Sequence, residues 1–356
     1  MHRPRSSSRF RRLIPAVAAA ATVALLAGCS SAPAPAAASS HKGKFVIGFE
    51  QPLGGQAWRE TGLAALQALA NRPEYRDKVE LKIVRTSDNN AAAQNAAMQN
   101  LIAQGVDAIL FDPASSSGAD AAIKRAQAQG IKVMANGGPY DNPGVYIVST
   151  DWAHAGLTGA KWLLGHLGAD KKVAVLEGLK GVPLNDGSMP GVVKALKDGG
   201  AKIVAQSTNG WNEATAQQNM ASILRSNPDV GGVYSFLTGG QGVPAAFDSA
   251  GLKFVPTVGG SGYNGEACTL MKDSPKGLTG DMVFGQPAIY AKGLEQMVKL
   301  LDGHKIPKAQ YFAPLEITDQ NAKQYCLPGE AANFQLGYDF PGLKISLSEV
   351  KKYYQG

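Results

Sequence analysis

The chain has 356 residues, a length suited to roughly two domains at ~100–200 residues each. With 44% hydrophobic and 18% charged residues it is not wholly disordered, and a chain this long buries a large core without needing staples. A formal charge of +7 suggests an anionic partner until the basic residues are located. Glycine (42) and proline (20) are plentiful, as in a fold with many strand–helix turns, but lack a fibrous period.

Residues 1–12 carry Arg3, Arg5, Arg9, Arg11 and Arg12 and no acid, and 13–27 read LIPAVAAAATVALLA. A basic flank followed by a short apolar run is the order of a secretory signal peptide. Fifteen residues are too few to span a bilayer, which takes ~20. The run ends in Leu26-Ala27-Gly28-Cys29, which resembles the lipobox of bacterial lipoproteins. That resemblance implies a diacylglycerol on the Cys29 sulfur and cleavage before it, with 1–28 removed. Arg11-Arg12 also forms a twin-arginine pair, but its surroundings fit that signal poorly. Residues 29–43 include SSAPAPAAASS, a tract that builds no core and reads as a tether.

Thirty-five basic residues less these five leave 30 against 28 acids, a net of +2. No later Lys/Arg cluster interleaves with aromatics, which argues against nucleic acid as a partner. Beyond Cys29 only Cys268 and Cys326 remain. In an oxidising envelope compartment they suggest a disulfide, with two separate buried thiols as the alternative. Their spacing is too wide for a local zinc pair, and no metal site is expected.

From residue 44 the chain alternates strand and helix. Strands are expected over 44–50, 79–84, 106–111, 131–135 and 145–148, with helices over 55–72, 91–104 and 118–129 between the first four. A second set follows: helix 153–167, strand 172–176, helix 187–197, strand 201–205, helix 213–225, strand 230–235 and helix 242–250. Strand 254–258, helix 264–272, strand 277–282, helix 287–301, strand 311–316 and helix 319–325 close the pattern. Alternation of this kind gives parallel sheets covered by helices on both faces, and two sets give two such lobes. Ligands of open α/β sheets bind beyond the carboxyl ends of the strands, so the expected site is the cleft between the lobes.

The segments IGFEQPLGGQAWRETG (47–62), SDNNAAAQNAAMQNLIAQGVDAILFDP (87–113), IKVMANGGP (131–139), VSTDWAHAGLTGAKWL (148–163), AQSTNGWNEATAQQNMASIL (205–224) and VGGSGYNG (258–265) together resemble periplasmic sugar-binding proteins of the ribose-binding type, the solute receptors of ABC transporters. The resemblance runs over about 45–325. It implies an α/β fold of two doubly wound parallel-sheet lobes joined by three crossovers, the type I periplasmic binding protein fold. By matching positions the crossovers fall near Thr150, Val283 and Phe312. One lobe is then 44–149 plus 284–312, the other 150–283 plus 313–340, with 341–356 as a tail. Cys268 and Cys326 both fall in the second lobe, where a bridge leaves the hinge free; this favours the disulfide.

Sugars present C–H faces to aromatic rings and hydroxyls to paired donors and acceptors. Candidates following strands are Gln51, Gln56 and Trp58; Asn136, where the resemblance implies a sugar-contacting acid; Asp151 and Trp152; Asn185 and Asp186; Trp211 and Asn212, with Trp211 matching a stacking aromatic; Ser261 and Tyr263; and Phe284 and Gln286. Trp58 suits a helix core equally well, and Asp151 is equally placed to cap the following helix. Trp162 reads as core, and Asp112 before Pro113 as a turn former. The chain departs from the ribose-binding pattern: no arginine stands near Gly137 or Ser188, and Ser261 replaces an acid. Fewer charge-assisted bonds favour a polyol, a deoxy sugar or a less polar molecule over ribose. Only Arg59 is poised for a carboxylate, so acidic ligands are less expected.

The segment Gly260-Ser261-Gly262-Tyr263-Asn264-Gly265 matches GxGxxG formally, but it lies late in an exported chain and reads as a Gly-rich turn. None of His41, His154, His166 and His304 has a metal-ligand partner at i+4, and GxSxG is absent, so neither enzyme nor cofactor is expected. The expected function is a monomeric, lipid-anchored binder. It captures a small neutral solute by hinge closure and hands it to an ABC permease. The alternatives are a ligand-sensing receptor for signalling or chemotaxis, or a binder of a non-sugar solute such as a nucleoside.

Overall fold

The computed structural model describes residues 43–355; the leader, Cys29 and nearly all of the tether lie outside them. The first lobe runs β1 (Phe45–Gln51), α1 (Ala57–Ala70), α2 (Pro73–Arg76), β2 (Val79–Arg85), α3 (Ala91–Ala103), β3 (Ala108–Phe111), α4 (Asp120–Ala128), β4 (Lys132–Gly137) and β5 (Tyr146–Thr150). The second runs α5 (Trp152–His166), β6 (Lys172–Glu177), α6 (Pro183–Asp198), β7 (Lys202–Thr208), α7 (Glu213–Ser226), β8 (Gly232–Ser235), α8 (Gly242–Ser249), β9 (Thr257–Val258), α9 (Asn264–Asp273) and β10 (Gly280–Phe284). Then follow α10 (Ile289–Leu301), β11 (Ala309–Phe312), β12 (Leu315–Thr318), α11 (Ala322–Tyr325) and α12 (Leu347–Lys351).

The sheets are ordered β11-β5-β4-β3-β1-β2 and β12-β10-β9-β8-β6-β7. Every neighbouring pair is parallel except β10 with β12. Each lobe therefore repeats one doubly wound order, with a sixth strand added at its edge. Strands buried on both faces read as apolar runs, and AILF in β3 is fully buried. In the first lobe α1 and α10 pack on one face around Phe49, Leu66 and Tyr290, and α3 and α4 cover the other. In the second lobe α5 and α6 cover one face and α7 and α8 the other, while α9 packs on β10 and β12. Gly62 lets α1 approach α10 closely, because a Cβ there would stand 2.6 Å from the Tyr290 ring.

Two passages between the sheets run side by side: Thr150 pairs with Phe312, and the Asp151 amide donates to the Phe312 carbonyl at 2.8 Å. Another leaves β10 through Gly285. The chain also passes back a fourth time. Leu336 packs in the second lobe but Phe340, Leu343, Ile345 and Val350 pack in the first. Arg72 fixes this returning segment by donating to the Leu343 and Lys344 carbonyls (2.7 and 2.8 Å) and to both oxygens of Glu349. The single strand expected over 311–316 is two strands, one in each sheet, separated by Ala313-Pro314. Helix α6 begins at Pro183 and not at 187, since proline suits a first helical position. Cys268 and Cys326 are joined by a disulfide tying α9 to the end of α11.

Candidate functional site

A cleft holding about 940 Å³ of empty space, part of it open to solvent, lies between the carboxyl ends of the two sheets. From the first sheet come Leu53, Gln56, Trp58 and Arg59 beyond β1, Asn89 beyond β2, Asp112 and Pro113 beyond β3, and Gly137 to Pro139 beyond β4. The second lobe supplies Trp152 on the first turn of α5, Val182 and Leu184 beyond β6, Trp211 beyond β7 and Leu237 beyond β8. Ser261 and Tyr263 beyond β9, and Phe284 and Gly285 at β10, complete it.

The first-lobe wall is polar and electroneutral. Arg59 Nε donates to Asp112 Oδ2 at 2.8 Å, and the Tyr290 hydroxyl donates to the same oxygen at 2.8 Å. Arg59 also donates to Gln56 Oε1. Glu50 lies beneath, and burial pushes its carboxyl up to about 8, so it carries a proton at neutral pH. The corner thus holds one positive and one negative charge that cancel, which suits an uncharged solute. Asp112 is part of this wall and does not merely form a turn. Arg59, already matched by Asp112, is not free for an acidic ligand.

Two indoles tie the hinge. Trp58 Nε1 donates to the Gly285 carbonyl at 2.7 Å, and Trp152 Nε1 to the Gly137 carbonyl at 3.1 Å. Gly137 has φ +115°, and a Cβ there would meet the Tyr290 ring at 3.0 Å. A side chain at this position would strain the backbone and push on the Tyr290 ring, which disfavours an arginine here.

In the second lobe, a half-buried and a fully buried carboxyl hold the loops. Glu213 accepts from the amides of Gly239, Gln241 and Gly242 (2.7, 3.1 and 2.6 Å). Glu266 accepts from those of Ser261 and Tyr263 (3.1 and 2.7 Å). The two carboxyls hydrogen-bond each other, and burial together with the charge of Glu213 raises Glu266 well above the usual carboxylate range. Through these amide contacts the two carboxyls hold the loops that carry Trp211, Leu237, Ser261 and Tyr263. The Gly-rich turn at 260–265 spends its Ser261 and Tyr263 amides on Glu266 and offers neither to a phosphate.

Leu53 (φ 50°), Trp211 (φ 53°) and Leu237 (φ 57°) adopt left-handed backbone, and all three line the cleft. Such a conformation costs a residue with a Cβ about 1–2 kcal/mol. At the cleft, Asn89 Oδ1 and Trp211 Nε1 are buried with no hydrogen-bond partner among the described residues.

Of the residues expected at the site, Gln56, Trp58, Trp211, Ser261 and Phe284 meet here, with Trp152 and Tyr263. Asn136 does not: its side chain is fully buried and donates to the Tyr290 carbonyl at 3.1 Å, positioning α10. Asp151 caps α5 through the His154 amide at 3.0 Å and lines a neighbouring cavity with Ser188 and Tyr311. Asp186 is exposed in the first turn of α6 and accepts from the Gly181 amide at 2.9 Å. Gln286 donates to the Asp339 carbonyl at 3.0 Å, where the chain returns to the first lobe. Ser261 is at the cleft, but its hydroxyl is engaged by Thr238 and the Leu237 carbonyl. Asn212 caps α7, and Asn185 accepts from the Gly178 amide. Trp162 stacks on His166 and packs against the second-lobe core.

Residues 47–305 match the model of the periplasmic binding protein domain. The ribose import binding protein of Bacillus subtilis is 27% identical over 241 residues, covering 67% of this chain and 77% of that one. An ABC transporter solute binding protein from Thermobispora bispora superposes with a TM-score of 0.71 at 26% identity, covering 82% of this chain and 90% of that one. One from Actinobacillus succinogenes, solved with bound D-allose, superposes with a TM-score of 0.69 at 22% identity, over 79% of this chain and all of that one. The two-sheet architecture, the interlobe cleft and these likenesses agree: the chain belongs to the periplasmic binding protein family, in its ribose-binding type, a family of binders and not of enzymes.

Proposed function

We propose that this protein is the solute-binding component of an ABC importer, anchored by a lipid on Cys29. It would capture a small neutral sugar or polyol between its lobes and deliver it to a membrane permease as a monomer. The observation that carries the reading is the electroneutral corner of Arg59 and Asp112 set among aromatic rings within an interlobe cleft. Hydroxyls both donate and accept, and a paired guanidinium and carboxylate serve both needs without demanding a charge. The related protein of Bacillus subtilis is a ribose import binding protein, and the likeness to a protein solved with D-allose points the same way. Closure would move 150–283 with 313–336 against the rest about the hinge that Trp58 and Trp152 brace. The closed form would be what a permease distinguishes from the open one.

A thermal-shift screen across sugars, polyols, nucleosides and amino acids tests this. A solute at a hundred times its Kd adds about 2.7 kcal/mol, so a sugar or polyol should raise the melting temperature by a few degrees. A shift from amino acids or nucleosides alone would remove the sugar assignment. Loss of membrane association in Cys29→Ala tests the anchor.

A further inference from the structure

Three apolar side chains reach the cleft from left-handed backbone: Leu53 from the first lobe, and Trp211 and Leu237 from the second. Turns of this kind ordinarily take glycine, which adopts the conformation without penalty. Keeping leucine or tryptophan there costs stability, so the side chain must return something that the folded chain alone does not. Core packing does not supply it for two of the three. Leu53 and Trp211 belong to none of the apolar clusters that build the lobes, while Leu237 contributes to the second-lobe core only partly. What all three share is the cleft.

Hydrogen-bonding groups are distributed unevenly around the same space. Arg59, Asp112, Gln56 and Asn89 all stand on the first lobe. The facing wall is mostly rings and aliphatic chains: its polar atoms are the Trp211 indole N–H, the Tyr263 hydroxyl and the Ser261 hydroxyl, and the last is already engaged. A solute ringed by hydroxyls would strip several of them of water against that wall with few replacement partners, which is unfavourable.

We propose that the solute is an amphipathic sugar: a deoxy or O-alkyl sugar whose hydroxyl edge faces Arg59 and Asp112 and whose hydrocarbon flank is gripped by Leu53, Trp211 and Leu237. This rests on the sugar-binding reading above and narrows it. The three residues then determine specificity, while Arg59 and Asp112 provide general affinity for a polyol edge.

The test is calorimetric titration with matched pairs: L-fucose against L-galactose, L-rhamnose against L-mannose, and methyl β-D-ribopyranoside against D-ribose. One methyl group received by an apolar pocket, or one hydroxyl rejected by it, changes affinity by ~10–100-fold. The deoxy or methylated member of at least one pair should bind tighter by that factor. Leu53→Gly should keep the melting temperature of the unliganded protein and cut the preference to under about threefold. Leu237→Gly, a second variant, should cut the preference in the same way while lowering the melting temperature, because Leu237 also packs against the second-lobe core. If the parent sugars bind as tightly as their deoxy and methyl partners, or if the preference survives in Leu53→Gly, the proposal is overturned while the sugar-binding function stands. If no member of any pair binds, the amphipathic-sugar proposal fails, and the thermal-shift screen decides the sugar-binding reading separately.

Discussion

Replacing Asp112 by asparagine tests the polar corner most sharply. The substitution preserves shape and leaves an oxygen to accept from the Tyr290 hydroxyl, but removes the charge facing Arg59. The two side chains are only 7% and 15% exposed. Breaking a buried ion pair by neutralising one partner costs about 3–5 kcal/mol, because the other charge is left uncompensated. Glu50 modifies this. Its carboxyl is held up at about 8 chiefly by burial and partly by the charge of Asp112, while Arg59 pulls it down. In Asp112→Asn the repulsion is gone and the attraction remains, so Glu50 should ionise at lower pH and become the counter-charge. Urea denaturation should therefore show about 3–5 kcal/mol lost at pH 6, where Glu50 still holds its proton, and a smaller loss at pH 8. The Glu50 carboxyl, followed by carbon NMR, should titrate below its value in the parent protein. Sugar affinity should fall at least tenfold, since the anionic acceptor is missing. A stability loss under about 1 kcal/mol at pH 6 with unchanged binding would refute the corner as described.

Asp281 is 1% exposed, both its oxygens lack a hydrogen-bond partner among the described residues, and burial beside Glu316 and Asp319 raises it from 3.8 to about 8. The folded chain then binds more protons than the unfolded chain between those values, so stability falls as pH rises through them. Asp281→Asn should remove that slope, gaining up to about 4 kcal/mol at pH 7 and nothing below pH 4, as read by chemical denaturation. The Cys268–Cys326 bridge closes a separation of 58 residues; replacing both by serine should cost ~4 kcal/mol and leave ligand affinity almost unchanged, because both ends lie in one lobe. Unfolded, unreduced protein should show no free thiol in a thiol titration when Cys29 is lipidated, and one when it is not; two or more would refute the bridge. Trp211→Ala should weaken sugar binding at least tenfold by calorimetry with the melting temperature of the free protein held within a few degrees; unchanged affinity would show that the second-lobe wall is misassigned.

Much of the fold was legible because strand and helix differ in period and the turns between them carry glycine. The alternation over 44–149 corresponds strand for strand to β1 through β5. Ser346 and Glu349 form a capping box, a pattern visible in the sequence, and it starts α12 where composition suggests only a tail. The split of 311–316 turns on Ala313-Pro314, where composition alone does not say that two apolar pieces join different sheets.

The site was legible where residue type announces its use, as with Trp58, Trp211 and Phe284. It was illegible where position decides. Asp112 and Arg59 stand 53 residues apart and become a pair only when β3 and α1 converge. Asn136 and Gly137 are neighbours, yet only the second faces the cleft, because successive residues of a strand point to opposite sides. Leucine at 53 and 237 gives no sign of left-handed backbone, since the residue that normally signals it is glycine.

The most direct measurement is a crystal structure of the protein with the tightest sugar or polyol found in the screen. The expected result is a single solute between the lobes, with a hydroxyl within hydrogen-bond distance of Asp112 and Arg59 and its carbon face against Trp211. Density for the solute anywhere else, or in the cleft without contact to Asp112 or Arg59, would contradict the account.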